Sequence, residues 1–317
     1  MNENRYRMYS QYLRSKYGEK VYKIPINLPV SCPNRDVLGG GGCIFCGEMG
    51  AGFENLESSI SVKEQLDTNI RYIKDKYNAK KFIAYFQNFS NTYLPFSRFK
   101  ETIYSACRDD VVEISVSTRP DCIHDDYLAF LKEIKGQKKI NILIELGLQS
   151  VNYYTLNKIN RGHSLGEFID AVLRIKKYGL ESCVHMIPNL PWDTMEDVVE
   201  GAKIISALGI EQVKLHSLYI VKGTELGKMY ENGTLEIISM EEYIERVITF
   251  IEHITPEIVF QRLVGRAPEE NTLFCNWNTS WWKIRDLIDE ELAKRDTHQG
   301  KKCDYLNGRA VKSLVGK

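Results

Sequence analysis

Three cysteines fall within fifteen residues, Cys32, Cys43 and Cys46, in a loop that reads Ser31-Cys32-Pro33-Asn34-Arg35-Asp36 and then Gly39-Gly40-Gly41-Gly42-Cys43-Ile44-Phe45-Cys46-Gly47. Two thiols separated by two residues can grip one metal centre from a single turn. Successive glycine N–H groups can face an anionic cluster and its sulfides. A structural zinc or an ordinary iron–sulfur centre takes four ligands, so three local thiols leave one metal position open to cofactor chemistry. Two plainer readings stand beside this one. A structural zinc would draw a fourth ligand from Cys107, Cys122, Cys183 or a histidine. A thioredoxin-like dithiol of Cys43 and Cys46 would leave Cys32 and the glycines unexplained. Cys107, Cys122 and Cys183 sit in or beside apolar segments and read as small buried hydrophobes. Cys275 and Cys303 are ambiguous, and no motif around them supports a second metal centre.

The loop follows an apolar run at Val21–Ile26, the first of six; the others are Lys81–Gln87, Val111–Thr118, Ile140–Leu148, Glu181–Ile187 and Glu211–Tyr219. The later runs start roughly 30 to 40 residues apart, the length of a strand, a crossover helix and two loops. Helical periodicity fills the gaps, with Val62, Leu66, Ile70 and Ile73 on one face and Phe168, Val172 and Ile175 on another. Asp193-Thr194-Met195-Glu196-Asp197 offers a helix start. Six repeats of strand and helix predict a parallel α/β sheet, and a partial barrel and an open doubly wound sheet both fit. In either, reactive groups gather at the carboxyl ends of the strands, where the cysteine loop falls. The rhythm changes near residue 235: Glu241–Ile254 and Trp281–Arg295 read as helices, Val259–Leu263 as a strand, and His298–Lys317 as a mobile basic tail. The expected organisation is an N-terminal helix within 1–20, a core at 21–235 and a mainly helical extension at 236–317.

Composition narrows the function classes. The 317 residues carry 42 basic and 42 acidic side chains, which excludes a uniformly basic nucleic-acid coat but not a local patch. A charged fraction of 26% with 18 tyrosines and 12 phenylalanines excludes a disordered chain. No window approaches the run of about 18 apolar residues that a membrane-spanning helix needs. The polar start Met1-Asn2-Glu3-Asn4-Arg5 lacks a signal-peptide core, so a cytoplasmic protein is expected. In a reducing compartment, clustered thiols point to metal or catalysis.

Ordered blocks then carry a resemblance. Besides the cysteine loop they are Tyr85-Phe86-Gln87, Ser117-Thr118-Arg119-Pro120-Asp121, Ile144-Glu145-Leu146-Gly147-Leu148-Gln149-Ser150, Asn160-Arg161-Gly162-His163 and His185-Met186-Ile187-Pro188-Asn189-Leu190-Pro191. Over about residues 20 to 265 the chain resembles the radical S-adenosylmethionine (radical SAM) enzymes, in the branch of the Elongator catalytic subunit and short bacterial proteins of the YhcC/YtqA type. The cysteine gaps of ten and two residues depart from the widespread three-and-two spacing and match this branch. The resemblance implies a partial (β/α)6 TIM-like barrel and a [4Fe–4S] cluster on Cys32, Cys43 and Cys46. S-adenosylmethionine on the fourth iron would be cleaved reductively to a 5′-deoxyadenosyl radical that abstracts a substrate hydrogen. An electron donor of flavodoxin or ferredoxin type is implied with it. Gln87 falls where the methionyl amino group is met, Ser117 and Arg119 where its carboxylate is held, Glu145 and Gln149 where ribose hydroxyls are expected, and His185 at the end of the fifth strand. Plainer roles compete: Arg119 with Asp121 as a loop fastener, His185 as a core histidine, Arg161 and His163 as a helix cap, and Tyr85, Phe86 and Phe89 as packing. Glu145, inside an apolar run, needs a partner if buried.

The branch implies transfer RNA as substrate, at the C5 side chain of the wobble uridine. A chain of this length is too short for the acetyltransferase domain of the Elongator subunit, so the expected reaction converts carboxymethylaminomethyl-uridine to aminomethyl-uridine. Radical chemistry on a small molecule such as a tetrapyrrole, and a non-enzymatic iron–sulfur or zinc protein that binds or senses RNA, are the other readings. Trp277, Trp281, Trp282, Lys283, Arg285, Lys294, Arg295, Lys301, Lys302, Arg309 and Lys312 offer aromatic and basic contacts for RNA.

Overall fold

The computed structural model describes residues 4–36, 41–47, 55–267 and 270–315. Gly39 and Gly40 of the glycine run lie outside the described residues. Six strands fall where the apolar runs predict them: β1 (Val21–Ile26), β2 (Lys81–Phe86), β3 (Val111–Thr118), β4 (Asn141–Gln149), β5 (Glu181–Met186) and β6 (Gln212–Leu215). They pair in parallel and in chain order. The sheet then continues beyond the sixth unit. After the short β7 (Ile220–Val221), strand β8 (Val259–Arg262) joins β6 in parallel as a seventh member. The expected mainly helical extension therefore also supplies sheet: β8, and β9 (Thr272–Phe274), which pairs antiparallel with β7.

Helices cover the outer face, and their starts are chemically marked. Ser61, Ser164 and Thr194 close reciprocal capping boxes with Glu64, Glu167 and Asp197, so each helix begins where two orphan amides find oxygen. Helix Leu165–Lys177 buries Phe168, Ala171, Val172 and Ile175, the face expected from their spacing. The inner face is different in kind. On β3, Glu113, Ser115 and Ser117 alternate and are all buried, so the sheet encloses polar groups while its apolar residues lie under the helices.

The sheet curls until its two edges approach. Lys23 of β1 donates to Gln261 of β8 at 2.9 Å. Met8 forms a parallel bridge to Phe260, and helix Tyr9–Tyr17 packs against both edge strands. The result is a half-barrel whose open side is partly filled by the N-terminal helix. No described helix is long and apolar enough to cross a membrane.

The tail is ordered over its first third, contrary to the expectation of mobility. Thr297 and Gln299 are buried, and Tyr305 donates to the carbonyl of His253 at 2.7 Å. Gln299 accepts from the Arg7 amide at 2.8 Å and donates to the carbonyls of Thr255 and Ile258, each at 2.8 Å. One amide thus ties the N-terminus, the segment before β8 and the tail. Replacing Gln299 with Ala strands three backbone groups, that of Ile258 fully buried, and should cost roughly 2–3 kcal/mol in urea denaturation. A loss within about 0.5 kcal/mol, typical of surface changes, would show that the tail is not part of the cooperative unit.

Candidate active site

Cys32, Cys43 and Cys46 line one cavity at the carboxyl ends of the strands, as the loop's position after β1 predicts. The turn is fixed by the Cys46 amide on the Cys43 carbonyl at 2.9 Å. From outside, the Ile44 amide donates to the Ile159 carbonyl at 3.1 Å, while the Leu226 amide donates to the Ile44 carbonyl at 2.9 Å. Asn34 donates to the Asn160 carbonyl at 2.7 Å and lies 3.6 Å from the Cys43 sulfur. That approach requires Gly162: it sits at φ +74°, and a Cβ there would lie 2.3 Å from Asn34 Oδ1.

The donor set separates a cluster from a single ion. Thiolates on one tetrahedral zinc at about 2.3 Å stand roughly 3.8 Å apart. Among the described residues the one set of three potential ligands within 4.8 Å of one another is Glu145, Cys183 and His185, not the loop cysteines. Their wider spacing suits a cubane, which holds its thiolates at separate corners. Burial, then the neighbouring Cys43, pushes the Cys46 thiol up to about 11, so this sulfur needs a positive centre to ionise. Arg161 donates to the Cys43 sulfur at 3.4 Å, a charge-assisted contact suited to a thiolate. The residues present therefore fit an iron–sulfur cluster. Neither Cys275 nor Cys303 enters such a ligand set among the described residues.

The strand-end residues divide into two groups. Gln87, Ser117 and Gln149 line the cavity, and Gln149 and Phe89 hold positive φ of 78° and 51°. Non-glycine residues in that region cost on the order of 1–3 kcal/mol and gather at functional sites. Arg119 also lines the cavity, but it grips Asp121 through two bonds of 2.8 and 2.7 Å and donates its third nitrogen to the Arg161 carbonyl at 2.8 Å. The expected carboxylate holder is thus a fastener that sets Arg161 against Cys43. Arg161 does not simply cap a helix; its other terminal nitrogen reaches the Gly147 carbonyl at 2.6 Å.

Glu145 is likewise corrected. It is fully buried, and both oxygens are occupied: Oε1 accepts from Lys23 and from Ser115 at 2.6 Å, Oε2 from His185 at 2.7 Å and Lys214 at 2.5 Å. Four donors leave it no ready lone pair for a ribose hydroxyl. Burial alone would raise its pKa, but Lys214 and Lys23 hold it well below the usual carboxylate range. The same lysines make Glu145, Cys183 and His185 a poor cation site. Tyr85 is no mere filler: its ring lies 4.1 Å from the Lys23 ammonium and its hydroxyl 3.2 Å from Lys214 and Ser117. Lys23, Lys214, His216 and Arg262 were not singled out from the sequence. A lysine inside an apolar strand, as in Gln212-Val213-Lys214-Leu215, is the signal that would have found two of them.

Several of the C-terminal basic residues are drawn into ion pairs. Arg285 pairs with Asp286, Lys294 and Arg295 with Glu291, Lys302 with Glu252 and Arg309 with Asp304. Trp277 donates to the Ile238 carbonyl at 2.8 Å within the core, Trp281 lies beside Arg266 and Arg285, and Trp282 stays exposed. Aromatic and basic groups also meet on the cavity wall, where Arg35 stands 5.5 Å over Phe89.

Burial, then Lys214, lowers His185 to about 4. The unfolded chain, with a histidine near about 6.5, therefore binds the extra proton first, and stability rises with pH between those values. His185 should contribute a slope of up to about 1.4 kcal/mol per pH unit across pH 4 to 6.5. Chemical denaturation of the wild type and His185→Gln over that range checks this, since the variant should flatten the slope; parallel curves would contradict it.

Comparison with known proteins agrees with this geometry. The sequence profile of the Radical SAM superfamily matches residues 26–205, and that of the Radical_SAM C-terminal domain matches 210–294. YtqA of Bacillus subtilis (strain 168) is 35% identical over 305 residues, covering 94% of this chain and 93% of that one. A tRNA uridine(34) acetyltransferase of Methanocaldococcus infernus is 30% identical over 218 residues, 68% of this chain but 38% of its own. The solved archaeal Methanocaldococcus infernus Elp3 with an N-terminal deletion superposes with a TM-score of 0.67 at 16% identity, over 88% of this chain and 64% of that one, and shares the fold. The chain belongs to the radical SAM superfamily, whose enzymes use a [4Fe–4S] cluster and S-adenosylmethionine.

Proposed function

We propose that this radical SAM enzyme modifies transfer RNA, converting carboxymethylaminomethyl-uridine to aminomethyl-uridine at the wobble position: a hydrogen atom would leave the glycine-derived methylene for the deoxyadenosyl group, a second electron would go to the oxidised iron–sulfur centre, and water would cleave the resulting carbon–nitrogen double bond to release the two-carbon unit as glyoxylate. The observation that carries the reading is one cavity lined by the three loop thiols, by strand-end amides and by the cations Lys214 and Arg262, with Glu145 paired to Lys214 and to Lys23. Such a chamber suits a polar, anionic side chain. The sequence similarity to a tRNA uridine(34) acetyltransferase supports the uridine part. Cys32, Cys43 and Cys46 would hold the cluster, and Gln87, Ser117 and Gln149 would line the S-adenosylmethionine site. When bound, the two cofactors supply hydrogen-atom abstraction from an unactivated carbon. The protein's own groups do the rest: Arg161 and Asn34 hold Cys43, the Asp121–Arg119 pair holds Arg161, and Phe89 with Arg35 offers a flat cationic stack to a base at the cavity. Reduced electron donor of flavodoxin or ferredoxin type is the partner this chemistry requires.

Anaerobically reconstituted wild-type protein should be brown and should form 5′-deoxyadenosine under reductant, and Cys43→Ala should lose both. A colourless wild-type protein holding one equivalent of zinc would refute the assignment. Cells lacking the gene should accumulate carboxymethylaminomethyl-uridine in digested transfer RNA; an unchanged nucleoside profile would sink the substrate.

A further inference from the structure

One partly buried cation in the cavity stands outside ion-pair reach of the carboxylate that its lysine neighbours share. Lys23 and Lys214 both contact Glu145, but Arg262 of β8 lies within ion-pair distance of no carboxylate among the described residues. Its Nη2 contacts both ring nitrogens of His216, Nδ1 and, at 2.9 Å, Nε2, and its Nε is buried without a hydrogen-bond partner among those residues. His216 is held neutral by burial and by Arg262 itself, so it accepts the guanidinium proton and adds no charge. An enclosed guanidinium with an unused donor is costly unless an anion completes it. A guanidinium fork matches a planar carboxylate through two parallel bonds. Lys214, the neighbour of Arg262 in the β6–β8 register, adds positive potential without a free carboxylate nearby.

We propose that Arg262 is the specificity residue that receives the carboxylate of the substrate's side chain. This rests on the uridine reading above for the identity of the substrate, but not for the existence of a carboxylate subsite. His216 positions the guanidinium by accepting on one side, leaving Nε to face the ligand. The site then discriminates the carboxymethylaminomethyl side chain from its aminomethyl product, since the product lacks the anion and carries an amine that Arg262 repels.

The test uses cluster- and S-adenosylmethionine-loaded enzyme and measures binding of two nucleosides, carboxymethylaminomethyl-uridine and aminomethyl-uridine. Wild type should prefer the first by roughly tenfold to a hundredfold, the range of a hydrogen bond to a charged group. Arg262→Gln should bring the preference within about twofold, and Arg262→Lys should restore part of it. A preference that survives in Arg262→Gln overturns the assignment while leaving the uridine reading intact. If wild type binds neither nucleoside, yet malonate raises its Tm and not that of Arg262→Gln, the carboxylate subsite stands and the uridine reading fails. If S-adenosylmethionine binds Arg262→Gln tenfold or more weakly than wild type, the guanidinium serves the cofactor's carboxylate and the proposal is wrong.

Discussion

The ionised carboxylate of Glu145 is the constraint on which the rest of the structure turns. It sits on β4 with no access to solvent, and its partners come from β1, β3, β5 and β6. β1 and β4 are not neighbours in the sheet, so Lys23 can reach Glu145 only if the sheet curls. A buried charge deprived of one partner costs several kcal/mol, so a flatter sheet is strongly disfavoured. The curl in turn brings Gln261 to Lys23 and places the strand ends around one cavity. Charge pairing inside the barrel thus does what a hydrophobic core does elsewhere, while the apolar residues glue helices to the outside.

A second relay serves the cysteine loop. Asp121 fixes Arg119, Arg119 fixes the backbone of Arg161, and Arg161 points its guanidinium at Cys43. The elements after β3 and β4 therefore set the position of a sulfur carried after β1. Two arginines of similar appearance do different work: Arg119 is neutralised by its own acid, whereas Arg161 keeps its charge directed at the thiol.

The sequence made the strands legible because apolar runs and capping residues are local signals, and the seventh strand was visible as Val259–Leu263 though its place in the sheet was not. The cysteine loop was legible because its ligands are close in the chain. What stayed hidden depends on long-range pairing. Glu145 announced that it needed a partner, but which partner depended on a curl that no periodicity encodes. Arg119 read both as a ligand contact and as a fastener to Asp121, a pairing two residues apart and so visible in the chain, whereas the lysines that take up Glu145 come from other strands. The ion pairs of the C-terminal basic run were only partly legible, since Glu291 lies three and four residues from Lys294 and Arg295 but Glu245 and Glu252 come from another helix.

The clasp on the cysteine loop has a consequence for how the protein comes into being. Ile44 is held by Leu226, and Gly47 stands against Val221 of β7, which is itself paired with β9. The ribosome releases these braces long after the thiols have emerged. A nascent chain therefore leaves three thiols without these braces until residues far downstream of them have been made.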